Sequence, residues 1–233
     1  MDTPRLKPEI LKARQERERR QSLKSLEERG GVRKKIAVVG DGSCGKTCLL
    51  HRFCQDRFIT DHIPTIFETM TQTISSAVCQ EVEFVIWDTA GQEEFCKLRS
   101  LSYQDANPVD LLLVCFAIDN PDSLENIEDM WLPEIRRYCP KVPMILVGNK
   151  KDVLHDREIA TELQREGRNF VTRESARLMA ERIGAHGYVE NSAKTGEGVQ
   201  DVFLTAWKVL LEAQERLGSR HSWRTQTTCC TIL

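Results

Sequence analysis

The sequence predicts an α/β fold, a mostly parallel sheet with helices on both faces, and three observations predict it. Short apolar runs recur along the chain, stretches of helical periodicity separate them, and the first run leads directly into a glycine-rich turn. The 233 residues are 40% hydrophobic and 29% charged, the balance of one globular domain with appended segments and not of a disordered or fibrous chain.

Taken in order, residues 1–33 come first as a basic N-terminal extension, expected to be disordered or partly helical. Residues 1–35 hold twelve Lys/Arg against six Asp/Glu, net +6, whereas the remaining 198 residues are net −8. Leu6, Ile10, Leu11, Leu23 and Leu26 are too few to build a core, and Gly30-Gly31 closes the segment. A solvated tail and a contact with a partner or an anionic membrane are both open for it. The buried strands are then Ile36 to Val39, Val82 to Trp87, Leu111 to Ile118 and Met144 to Val147, each a short apolar run. The more polar run Thr69 to Val78 is an edge strand beside Val82 to Trp87, and Gly187 to Val189 is a further short run. Helices are predicted over Lys46 to Cys54, Ser123 to Tyr138, Arg173 to Ile183 and Val199 to Leu217. Ligands of such a sheet bind at the carboxyl ends of its strands.

Nine cysteines, an odd number, are not needed as a disulfide framework in a domain that buries a sizeable core. The chain has no apolar run of 18 residues and no apolar signal segment near its N-terminus, so a cytosolic protein with reduced thiols is expected.

The first chemical motif sits at the end of the first strand. Gly40-Asp41-Gly42-Ser43-Cys44-Gly45-Lys46-Thr47 follows an apolar strand and opens an apolar helix, the context that a phosphate-binding loop requires. Its glycines let the backbone wrap a polyphosphate, and the helix N-terminus supplies N–H donors and positive potential. Lys46 reaches the outer phosphates, and the Thr47 hydroxyl is offered to Mg2+.

Two later loops select the base. Gly148-Asn149-Lys150-Lys151-Asp152 follows the strand Met144 to Val147, and Asn191-Ser192-Ala193-Lys194 follows Gly187 to Val189. The Asp152 carboxylate can accept from the ring N–H and the exocyclic amine of guanine, whereas adenine has neither donor there. Lys150 can lay its stem over the base, Asn149 can tie its loop to the phosphate loop, and the Ala193 N–H can donate to the guanine carbonyl. An ATP-dependent kinase or ATPase fits the phosphate loop but not Asp152 and Ala193. A third motif runs from the strand Phe84 to Trp87 into Asp88-Thr89-Ala90-Gly91-Gln92. Asp88 can hold Mg2+, the Gly91 N–H can meet the terminal phosphate, and Gln92 can orient an attacking water.

The ordered set GDGSCGKT, PTIFE, WDTAGQEEF, GNKKD and SAKT resembles a Ras-like small GTPase. Cys44, the run Leu98 to Tyr103, Asp122 to Asn126 and the charged segment Leu154 to Arg168 resemble the Rho family within it. The likeness covers residues 34–217, followed by a flexible tail 218–233. It implies a P-loop NTPase with a Ras-like six-stranded sheet, five helices and a Rho-type insert helix. It also implies a switch that binds GTP and hydrolyses it to GDP and phosphate, controlling effectors at membranes in cytoskeletal or polarity signalling. By that match Thr65 reaches Mg2+ and the terminal phosphate, Phe58 flanks the guanine, Ser192 and Lys194 complete the base loop, and Cys48 belongs to the nucleotide loop. Gln92, Lys46, Thr65 and Gly91 form the catalytic set, and Thr47, Thr65 and Asp88 the Mg2+ set. A persistently GTP-bound scaffold that cycles by exchange is the alternative. The implied partners are exchange factors, GTPase-activating proteins, a GDP-dissociation inhibitor and effectors; nucleic acid is not expected, and the protein is expected to be a monomer. His62, Ile59 and Cys96-Lys97 stand where Rho relatives usually carry Tyr, Pro and Asp-Arg, on surfaces that meet regulators and effectors.

Two cysteine readings complete the analysis. Cys44 and Cys48 lie beside Lys46 and a helix N-terminus, which would lower a thiol pKa and favour oxidation, or they are small packing residues. The end of the chain, Cys230-Thr231-Ile232-Leu233, reads as a prenylation box whose terminal Leu favours geranylgeranyl, with Cys229 as a palmitoyl acceptor. This places the protein in the cytosol and on the cytoplasmic face of membranes, the plasma membrane first.

Overall fold

The computed structural model describes residues 32–60, 65–76, 79–92, 95–103 and 108–225. Residues 1–31, His62, Cys229 and Cys230 lie outside them. β1 (Val32–Gly40) stands inside a six-stranded sheet of order β2-β3-β1-β4-β5-β6. β2 (Phe67–Ser76) runs antiparallel to β3 (Cys79–Thr89), while β3, β4 (Leu111–Ala117), β5 (Met144–Asn149) and β6 (Tyr188–Glu190) run parallel with β1. The edge strand expected from Thr69 begins two residues earlier. Phe67 pairs with Thr89, and its ring meets Trp87 edge-on at 5.2 Å, a cross-strand contact that carries the pairing toward the carboxyl end of β3.

Side chains alternate between the faces of a strand, so one run of apolar residues fills two cores. Ile36 and Val38 of β1 are fully buried with Leu49, Leu50, Phe203 and Ala206, from α1 (Lys46–Gln55) and α7 (Val199–Thr225). Ala37 and Val39 face the opposite way, into the core formed with Leu124, Trp131, Ile135, Ala176 and Ile183. Every residue of β4, Leu-Leu-Leu-Val-Cys-Phe-Ala, is buried. At about 1.5–3 kcal/mol for each large apolar side chain removed from water, these two layers hold the sheet between its helices.

Helix ends follow their caps. Thr172 accepts from the Ser175 N–H ahead of α6 (Arg173–Ile183), which stops at Gly184. The insert segment forms a 3-10 turn (Lys151–His155) and α5 (Arg157–Arg165), with Asp156 accepting from the N–H groups of Glu158 and Ile159. A short α2 (Cys96–Tyr103) was not legible from periodicity. The helix expected over Ser123 to Tyr138 is helical throughout but not uniform: α3 (Pro121–Asn126) passes through a π turn (Ile127–Trp131) into α4 (Leu132–Tyr138). Pro133 explains the irregularity, since it has no N–H with which to continue the i→i−4 ladder. α7 extends past residue 217 to Thr225. Among the described residues no helix is long and apolar enough to cross a membrane.

The strand order turns at β1, whose neighbours are β3 on one side and β4 on the other. That turn opens a crevice at the carboxyl end of β1, where the glycine-rich loop lies.

Candidate functional site

The loop after β1 is shaped by an approach that only glycine permits. Gly40 has φ +139°, and a Cβ there would lie 2.1 Å from the Cys115 carbonyl oxygen of β4. Ser43 continues the loop with φ 59° before α1 begins at Lys46. The result is a cleft of about 410 Å³ lined by Gly42, Ser43, Gly45, Lys46, Thr47 and Cys48. Ile59, Thr60, Thr65, Thr89, Gly91, Gln92 and Lys150 complete it. Lys46 is buried, and its ammonium donates to the Gly40 and Asp41 carbonyls at 2.7 Å each.

Three residues that are distant in sequence meet at this cleft. The Thr47 hydroxyl donates to Asp88 Oδ2 at 2.6 Å and lies 2.8 Å from the Thr65 hydroxyl. The parallel register that sets Val38 beside Asp88 brings the carboxylate to the phosphate loop. Burial pushes the Asp88 carboxyl above the usual carboxylate range, with the Thr47 hydrogen bond and Lys46 opposing the shift. Its Oδ1 is buried without a hydrogen-bond partner. Two hydroxyls and one carboxylate, one of whose oxygens is orphaned, are a donor set that fits Mg2+, a hard cation that takes oxygen ligands and shares them with substrate phosphates.

The two loops expected to select the base are joined to the same framework. Asn149 Nδ2 donates to the Cys44 carbonyl at 2.8 Å, and Asn191 Nδ2 donates to Asn149 Oδ1 at 2.7 Å. Ser192 Oγ donates to Asp152 Oδ1 at 2.6 Å, and Lys194 Nζ lies 3.9 Å from Asp152 Oδ2. Lys150 takes φ 63°, and its ammonium pairs with Asp119 at 2.9 Å. Arg52 binds the third loop from α1, donating to the Ala193 carbonyl at 2.7 Å and the Lys194 carbonyl at 3.0 Å. Ala193 itself is buried.

Not every sequence expectation is met by a side chain in the cleft. Phe58 is half-buried and does not line the cleft; its neighbours Ile59 and Thr60 do. Asp41 turns its carboxylate away, to Asn126 and Trp131. Cys44 contributes backbone only, because its thiol is buried in the core against the Cys115 carbonyl. The alternative of a thiol activated by Lys46 is therefore reversed: burial pushes the Cys44 thiol up, and Lys46 offsets only part of that effect. Cys48, half-buried at the cleft, is also raised by burial.

Arg52, Asn191, Asp119 and Arg99 were not singled out by motif spacing for the contacts they make. Arg99 is buried and donates to the Ala90 and Gln92 carbonyls at 2.9 and 2.6 Å, so it holds the loop that carries Gln92 and does not enter the cleft. The run Trp131-Leu132-Pro133 was the available signal for the irregular helix to which Asp41 is bound.

Comparison with known proteins agrees with this geometry. The Ras family model matches residues 35–212. The Rho-related GTP-binding protein RhoB of Homo sapiens is 48% identical over 202 residues, covering 87% of this chain and 98% of the relative. RhoB of Mus musculus and of Rattus norvegicus match to the same extent. A glycine-rich loop after β1, a hydroxyl and carboxylate cluster at its mouth, and two joined loops after β5 and β6 thus coincide with likeness over most of the chain. It belongs to the Rho family of Ras-like small GTPases, proteins that bind GTP and hydrolyse it to GDP.

Proposed function

We propose that the chain is a membrane-attached switch whose GTP state is held by Thr65 and Gly91 and ended by hydrolysis that Gln92 directs. The observation that carries this reading is the meeting of Thr47, Thr65 and Asp88 within hydrogen-bond distance at the mouth of the phosphate loop. Thr47, Thr65 and Asp88 would hold Mg2+, which when bound neutralises charge on the phosphates. Lys46 is fixed by two loop carbonyls, and its third N–H faces only the Cys44 sulfur at 3.9 Å, so it can turn to a phosphate oxygen. Gly91 lines the cleft and packs against the Asp41–Gly42 peptide, beside the phosphate loop, where its N–H can meet the terminal phosphate. Gln92 is exposed at the cleft, free to orient water toward that phosphate. Asp152, with Asn149, Lys150, Ser192, Ala193 and Lys194, selects guanine.

Loss of the terminal phosphate removes the group that Thr65 and Gly91 share, and the two loops change shape. Effectors, exchange factors, activating proteins and a dissociation inhibitor would read that change, in cytoskeletal or polarity signalling. The test is to extract the nucleotide bound to the purified protein and follow one turnover of loaded GTP. Guanine nucleotide and conversion to GDP are expected. Guanine nucleotide without conversion would instead support a persistently GTP-bound scaffold that cycles by exchange.

The division into a basic extension 1–33, a GTPase domain 34–217 and a tail 218–233 belongs to this proposal, with the tail as membrane anchor. One lipid chain binds membranes only marginally, so Cys230 needs a second signal. Cys229 supplies it as an acyl acceptor, and the extension, part of a segment of net +6, adds about 1 kcal/mol for each basic residue near an anionic leaflet. Cys230→Ser should move the protein from the membrane to the cytosolic fraction, and Cys229→Ser should do so partially. Full retention of Cys230→Ser on membranes would place the anchor elsewhere.

A further inference from the structure

The π turn of the α3–α4 helix carries a consequence for catalysis. Asn126 and Trp131 are five residues apart, and on a helix of 3.6 residues per turn they would stand about 140° apart around the axis. The wider turn, closed by the Leu132 N–H on the Ile127 carbonyl, brings both to one carboxylate. Asn126 Nδ2 donates to Asp41 Oδ2 at 2.7 Å, and Trp131 Nε1 donates to Asp41 Oδ1 at 2.7 Å. Both carboxylate oxygens of the phosphate loop's Asp41 are thereby held by one helix.

The same helix holds the other wall of the cleft. The Arg99 guanidinium lies over the Trp131 ring, 4.7 Å from its centroid, and binds Glu134 of α4 through Nε at 3.0 Å and Nη2 at 2.9 Å. Tyr103 donates to Glu134 at 2.9 Å. Burial works against the Glu134 charge, but the Arg99 pair together with the Tyr103 hydrogen bond and a Cys96 contact outweighs it and holds this carboxyl below its usual range. The remaining Arg99 nitrogen, Nη1, donates to the carbonyls of Ala90 and Gln92. Between these two anchor points the loops touch without slack: a Cβ on Gly91 would lie 2.4 Å from the Asp41 carbonyl carbon and 2.4 Å from the Gly42 nitrogen.

We propose that Asn126 and Trp131, brought together by the π turn, are positioning residues for GTP hydrolysis, because they fix the phosphate loop in register with the loop that carries Gln92. Neither is among the residues that line the cleft. They act through Asp41 on one side and, by way of the indole ring and Arg99, through the Gln92 backbone on the other. The proposal rests on the reading of Gln92 as the residue that orients water.

The test uses the full chain loaded with GTP and Mg2+. Trp131→Phe keeps the ring under Arg99 and removes only the N–H donor; Asp41→Asn is a second variant that keeps the side-chain shape and removes one acceptor. A misplacement on the order of 1 Å can cost as much as ~10²-fold in rate, so a fall of about tenfold in single-turnover hydrolysis is expected for Trp131→Phe, with unfolding temperature recorded alongside. Amide exchange should quicken together at residues 41–43 and 90–92. In a Gln92→Leu background the Trp131→Phe change should cost nothing further. Wild-type hydrolysis in both folded variants would overturn the proposal. So would an equal fold-loss with and without Gln92, which would mean that the phosphate loop alone is disturbed. If Gln92→Leu by itself hydrolyses at the wild-type rate, the reading of Gln92 fails, a result distinct from either.

Discussion

Asp152→Asn will weaken binding of GDP and GTP and turn the preference toward xanthine nucleotides. Asp152 is held from two sides, by the Ser192 hydroxyl at 2.6 Å on Oδ1 and by Lys194 at 3.9 Å from Oδ2, so its carboxylate presents a fixed pair of acceptors. Guanine offers two donors to that pair, its ring N–H and its exocyclic amine. An amide in the same place keeps one acceptor and introduces a donor that faces the guanine amine. Hydrogen bonds to a charged group are worth about 1.5–3 kcal/mol each, so losing one of the two should cost roughly 10- to 10²-fold in guanine affinity. Xanthine carries an oxygen where guanine carries the amine, and the new amide N–H would donate to it. Titration of the purified variant with labelled GDP and XDP gives the comparison. Unchanged guanine affinity would remove Asp152 from the base pocket.

The parts of the site that could be read from sequence are those in which chemistry and spacing share one short segment. Gly40 to Thr47 could be read because a strand, a glycine-rich turn and a helix start follow one another. Asp88 could be read because it ends an apolar strand, and the parallel register of β1 and β3 leaves it little choice of place. The two cores follow from alternation along fully apolar strands. What escaped the sequence depends on partners far along the chain. Nothing near Asp41 says that its carboxylate serves a helix 85 residues away, or that Pro133 widens that helix to receive it. Nothing near Arg99 in the sequence says that it binds Glu134 and the Ala90 and Gln92 carbonyls. Cys44 shows the same limit in electrostatics. Its sequence neighbour Lys46 argues for an activated thiol, but depth in the core decides the sign, and burial wins.

Gln92→Leu should leave the fold and the nucleotide affinity intact and trap the GTP state. The side chain is exposed, so the substitution buries no polar group, and the loop backbone is fixed independently by Arg99 at the Ala90 and Gln92 carbonyls. What leucine cannot do is hydrogen-bond a water. The loss should be largest with an activating protein present. No arginine lines the cleft among the described residues, Arg52 is bound to the Ala193 and Lys194 carbonyls, and Arg99 is bound to Glu134 and the Gln92 loop. An arginine supplied by an activating protein adds roughly 10³ to 10⁵ in rate when the water is correctly placed. Without Gln92 most of that factor should disappear, while GTP binding and Mg2+ dependence of binding stay near wild type. Gly42→Val should reach the same trapped state by crowding the cleft, for a Cβ there meets no protein atom within 4 Å and the added methyls would project into open space. Single-turnover hydrolysis with and without a Rho-directed activating protein reads both variants. If Gln92→Leu keeps the stimulated rate of the wild type, the water is oriented by another group, and the backbone carbonyls that Arg99 holds in place would be the next to test.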